Sequence, residues 1–108
     1  MIVGHGSGVK VLREEGSVET FIGDLTVDAV KHVIDADLLE VCETHKGNVM
    51  LIDEEGKLRG KGMNLMASIL YKYGYDKRGN FLDHIVGDVM LVPRSIWEML
   101  NGEDDEYD

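Results

Sequence analysis

The hydrophobic pattern opens with two β-rich runs, residues 9–12 (VKVL) and 18–22 (VETFI), separated by the turn-forming REEGS with Gly16. Two such runs across a short glycine-containing turn predict a hairpin. Gly23 and Asp24 then break the pattern, and its period changes. Val27, Val30 and Ile34 recur at helical spacing behind Thr26, a residue that caps helix N-termini, with Asp28 placed to complement the helix dipole. This predicts a helix ending near residues 35–37.

Residues 38–43 return to strand character, with Leu39 and Val41 alternating with Glu40 and Cys42. THKGN follows as a turn, and the wholly apolar 49–52 (VMLI) reads as a central strand covered on both faces. Residues 53–57 predict a bulged hairpin turn with Gly56 at a positive-φ position, which would make Leu58 the main apolar contact of a short partner strand. Asn64 is placed to cap a helix running to about Tyr73, its inner face formed by Leu65, Met66, Ile69, Leu70 and Tyr73 and its end marked by Gly74. After the polar YDKRGN, residues 85–92 (IVGDVMLV) predict a last strand stopped by Pro93. Ser95 then caps a short helix, 96–100, that carries Trp97.

Strands outnumber helices and join by short turns, so the fold class expected is α+β. The sheet would be largely antiparallel, with four to six strands, two helices packed on one face and a short C-terminal helix. At 108 residues the chain is expected to be one domain, spanning 9–100, between a glycine-rich flexible leader (1–8) and an acidic tail (101–108). The start, MIVGHGSGVKV, lacks a basic region followed by an apolar run, so no secretory signal is expected there. With Cys42 the sole cysteine, an internal disulfide is excluded, which suits a reducing cytoplasm.

Charge sharpens the picture. The net charge is −10, and Glu103, Asp104, Asp105, Glu106 and Asp108 supply half of it, leaving 16 acids against 11 bases in the body. Such a field repels nucleic-acid backbones and anionic membranes, making both unlikely partners, and it attracts basic proteins. Glu98 with the tail residues Glu103, Asp104, Asp105 and Glu106 is therefore the candidate protein-binding surface.

The one dense cluster of positive charge is Lys57, Arg59 and Lys61, interleaved with Gly60 and Gly62 and running into Asn64 at a helix start. Glycines that let backbone approach a ligand, cations and free helix N–H groups together form a candidate anion site. It is neither a phosphate-binding P-loop nor a dinucleotide fingerprint, because the required glycine and lysine spacings are absent.

Tyr71, Tyr73 and Tyr75 alternate with Lys72, Lys77 and Arg78 in a way that stacks single-stranded bases elsewhere, but Tyr73 is assigned to a buried stripe. Cys42 and His45 are too few for a metal site, and His32 and His84 bring no second ligand pair. Asp83 beside His84 has the composition of a base and its orienter, but neighbours on a strand face opposite ways. No catalytic residue, metal or cofactor is assigned.

The segments MLIDEEGKLRGKGMN and IVGDVMLV, with LLEVCE before them, give the chain a resemblance to a small uncharacterised family found in bacteriophages, plasmids and bacteria. Its loop before the asparagine is more apolar than the RGKG here. The resemblance covers about residues 9–94 and implies an α+β fold and a phage or mobile-element setting, in the host cytoplasm, with no activity attached. Taken together, the sequence points to a non-enzymatic protein engaging a host protein, a basic or nucleic-acid-binding one fitting best, through acidic surface. The alternative is a binder of small nucleotide-like anions at the 57–64 loop. An unpaired edge strand or the outer side of Trp97 would support a homodimer.

Overall fold

A computed structural model describes residues 2–3 and 8–101, with only the backbone of residues 2, 3 and 101. Strand β2 (Lys10–Leu12) folds back on β3 (Val18–Thr20) through the predicted turn, where Arg13 N–H donates to Ser17 O at 2.9 Å. Of the expected leader, residues 1 and 4–7 lie outside the described residues. Strand β1 (Ile2–Val3) pairs antiparallel with β4 (Gly23–Asp24) as a separate two-stranded ribbon.

Helix α1 (Val27–Ile34) starts where Thr26 Oγ1 accepts the N–H of Ala29 at 3.0 Å. It ends at Asp35, which turns left-handed (φ 56°) and returns its N–H to the carbonyls of Lys31 and His32. Strand β5 (Leu39–Glu43) and β6 (Asn48–Asp53) form a second hairpin, its turn held by Thr44 Oγ1, which accepts the N–H groups of Lys46 and Asn48. Strand β7 (Val89–Pro93) then inserts between the two hairpins, giving a five-stranded antiparallel sheet in the order β3-β2-β7-β6-β5. Helix α3 (Arg94–Asn101) follows β7 without a loop.

The two-residue period of the strands divides the core into two layers. Val11, Val49, Leu51, Met90 and Val92 face one side, where Val30 and Ile34 of α1 and Ile96, Trp97 and Leu100 of α3 pack on them. Leu12, Met50, Ile52 and Val89 face the other side with Cys42, Ala67 and Ile85. The expected α+β fold, an antiparallel sheet with three helices of which the last is C-terminal, is present; the two helices that share a face are α1 and the C-terminal helix α3, not α1 and α2. Helix α2 (Leu65–Leu70) covers the opposite face.

Three local expectations differ. No strand forms around Leu58, which is 90% exposed within a run of turns over 54–60. Strand β6 already has β7 on one side and β5 on the other, so it has no edge left for a third partner. Positive φ falls on Gly60 (75°) and not on Gly56, where a Cβ would lie 2.8 Å from a Val86 methyl carbon. Residues 85–87 join no strand: Val86 makes an isolated bridge to Met63, and β7 begins at Val89.

Helix α2 departs most. It stops at Leu70, because Lys72 N–H donates to Glu43 O and His45 N–H to Leu70 O, drawing the chain into extended pairing at the end of β5. Its buried residues are Ala67 and Ser68; of the expected inner face Leu70 packs against the core, whereas Leu65 (64% exposed), Met66, Ile69 (56%) and Tyr73 lie outward.

Candidate functional site

The basic loop has its charges answered from within the fold. Asp53, at the end of β6, is buried, and its Oδ2 receives Lys61 Nζ at 2.8 Å and Arg59 Nη1 at 2.9 Å. Its Oδ1 takes the N–H of Glu55 at 2.9 Å. Burial by itself would raise the Asp53 pKa, but the Lys61 and Glu55 bonds and the neighbouring cations outweigh it and hold the carboxyl below its ordinary value.

Both cations also reach the end of α1. Lys61 Nζ donates to the carbonyls of Ile34 (3.1 Å) and Asp35 (2.6 Å), and Arg59 Nη1 donates to Asp35 O at 2.8 Å. Cationic donors at the carbonyl end of a helix oppose its negative pole and satisfy acceptors that have no intrahelical partner. Lys57 pairs with Asp83 on the far side of the loop. The loop is thus a clasp between α1, β6 and the 83–87 segment.

Asn64 caps α2 as expected, Oδ1 accepting the N–H of Ala67 at 3.1 Å. Its second role is not visible from residue type or spacing. Its Nδ2 donates to Leu12 O (2.9 Å) and Gly87 O (2.8 Å), so one buried amide ties together β2, α2 and the segment leading into β7. Gly60 supplies the turn, and Gly62 lies against Glu14. The structure therefore gathers the six residues of the candidate anion site, but binds Lys57, Arg59 and Lys61 to carboxylates and seals Asn64 inside. The signal that would have revealed this is Asp53 itself, an acid closing a wholly apolar strand, which needs a cation if buried.

The other chemistry-bearing side chains surround a small cleft of about 130 Å³ on the α2 side, which Cys42, Tyr71, Asp83 and His84 help line. Burial first, then the charges of Glu40 and Asp83, push the Cys42 thiol up to about 12, so it stays protonated and is no nucleophile at neutral pH. Asp83 is held below its ordinary value chiefly by Lys57, and its Oδ1 accepts the backbone N–H of His84 at 2.8 Å. The His84 ring instead stacks on Phe81, with centroids 5.8 Å apart. Among the described residues no group of three metal-ligating side chains converges, and no helix is long and apolar enough to cross a membrane.

What remains is a surface. Asn64, Ala67 and Ser68, at helical positions i, i+3 and i+4, form the inner face of α2, and Ser68 Oγ exchanges hydrogen bonds with Ile85 N–H (2.8 Å) and O (3.2 Å). Small and polar residues inside leave Leu65, Met66 and Ile69 outside, joined along the chain by Met63 and Tyr73. Tyr73 meets Tyr71 edge-on at 5.9 Å and carries Lys72 over its ring. Glu98 is exposed on α3, whereas Glu103, Asp104, Asp105 and Glu106 lie outside the described residues. Compared with family models, curated proteins and solved structures, the chain matches none.

Proposed function

We propose that the protein is a non-enzymatic binding protein that attaches to another protein through the outward face of α2, with its acidic surface steering a basic partner. The carrying observation is the inverted helix: Leu65, Met66 and Ile69 are exposed while Ala67 and Ser68 make the internal contacts. Contiguous exposed apolar side chains on a small domain mark interaction surfaces, and helices with i, i+1 and i+4 anchors dock into grooves. Excess carboxylate raises the encounter rate with cationic proteins, and the resemblance noted above supports looking for the partner in a bacterial host.

The test is affinity capture from bacterial lysate with the wild-type chain and a Leu65→Asp, Ile69→Asp variant, after thermal melts establish that both are folded. The expected result is a stoichiometric partner retained at low salt, released as salt rises, and lost with the variant. Failure to retain any protein at low salt, or equal capture by the variant, removes the proposal.

A further inference from the structure

Strand β5 is one edge of the sheet, and part of that edge is open. Glu54 N–H bonding to Leu38 O and Thr44 N–H to Asn48 O set the register, so the even-numbered residues of β5 hydrogen-bond β6 and the odd-numbered ones point outward. The outward carbonyl of Glu43 is taken by Lys72, but the N–H and C=O groups of Leu39 and Val41 have no partner among the described residues. Beside this gap, α1, α3 and β5 enclose an apolar groove of about 590 Å³, with Val27, Leu38, Val41, Trp97 and Leu100 on its walls. Glu40 projects to the opposite face, beside the cleft that also holds Glu54 and the Lys57–Asp83 ion pair, so Glu40 and Glu54 are the carboxylates there with no cation of their own in the cleft lining.

We propose that the outer edge of β5 is a docking site for an extended segment of a partner protein in which one basic residue stands between two apolar ones. Added antiparallel, such a segment pairs its backbone with Leu39 and Val41. Its two apolar side chains then fall on the groove side and its basic side chain opposite Glu40. The reverse arrangement fails, because the groove lining carries Lys31 and no carboxylate, whereas Lys57 on the Glu40 side is answered by Asp83. A second copy of this chain does not fit either. Two-fold pairing through Leu39 and Val41 sets Glu40 directly against its symmetry mate, and like charges so placed destabilise a sheet. The edge thus refuses itself while accepting a basic strand. This inference rests on the protein-binding reading but uses a different face from α2.

The experiment titrates the isotope-labelled full chain with an end-capped peptide, Ser-Thr-Val-Lys-Val-Thr-Ser, and follows amide resonances. Shifts at Leu39, Val41 and the Trp97 indole are expected, with affinity falling about threefold or more when the peptide lysine is replaced by glutamate. Glu40→Lys, an exposed change, is expected to reverse that preference. Unmoved Leu39 and Val41 amides, or indifference to the charge swap, overturns the proposal. Movement of those amides on concentrating the protein without peptide overturns it in favour of self-pairing. The Leu65→Asp, Ile69→Asp variant leaves the peptide response unchanged, so failure at this edge and failure at α2 are told apart.

Discussion

Two buried polar side chains, Asn64 and Asp53, each tie several segments of the chain together. Asn64 satisfies two carbonyls and one N–H from three elements, so Asn64→Ala removes a cap and leaves the carbonyls of Leu12 and Gly87 short of a donor. A loss of about 3 kcal/mol is expected, read as a lowered urea midpoint. Asp53 titrates with consequence. Its folded pKa lies below the unfolded value, so its ionised form stabilises the fold fully above about pH 4, and that contribution is lost as pH falls through the lowered folded value. Asp53→Asn should cost about 2 kcal/mol at neutral pH and flatten the fall in stability on acidification, which urea titrations between acid and neutral pH would show. Cys42 should resist alkylation in the native state at pH 8 and react only on unfolding, since burial keeps the thiol protonated.

At the scale of elements, the two hairpins and α1 were legible because their side-chain periods and turn residues agree. Thr26, Gly16 and the THKGN turn each do locally what their types predict. Helix α2 was misread for a physical reason. Periodicity shows that a helix has one apolar stripe but not which stripe meets the sheet, and here close approach to β2 and the 85–87 segment puts Ala67 and Ser68 innermost, with Leu70 alone of the expected stripe within α2 packed against the core. The strand expected at Leu58 failed because nothing local reveals that β7, far along the chain, will claim that side of β6. Likewise the cation cluster was visible and its destination was not, since Asp35 lies more than twenty residues upstream of Arg59. The inversion of α2 is testable. Ala67→Leu should overpack the interface and cost about 2 kcal/mol, whereas Leu65→Ser should change stability by less than about 0.5 kcal/mol, both measured by thermal denaturation.

For the whole molecule, the α+β architecture could be read in advance because it depends on the count and spacing of elements, not on which face each presents. Placement of the candidate sites could not, because the fate of the basic loop depends on Asp53 being buried and on Asp83 and the end of α1 being folded against it, none of which is visible locally. The resulting body presents apolar α2 on one side of the sheet and the open β5 edge on another, within an acidic field.

Strand β7 lies at the middle of the sheet yet is made after both hairpins, and that order has a consequence during synthesis. Until residues 89–93 have cleared the ribosome, β2 and β6 are two unjoined half-sheets, each with a bare inner border. A nascent chain arrested before Val89 would therefore remain open to proteases and to mispairing with its neighbours, and emergence of β7 would zip the halves shut in one cooperative step.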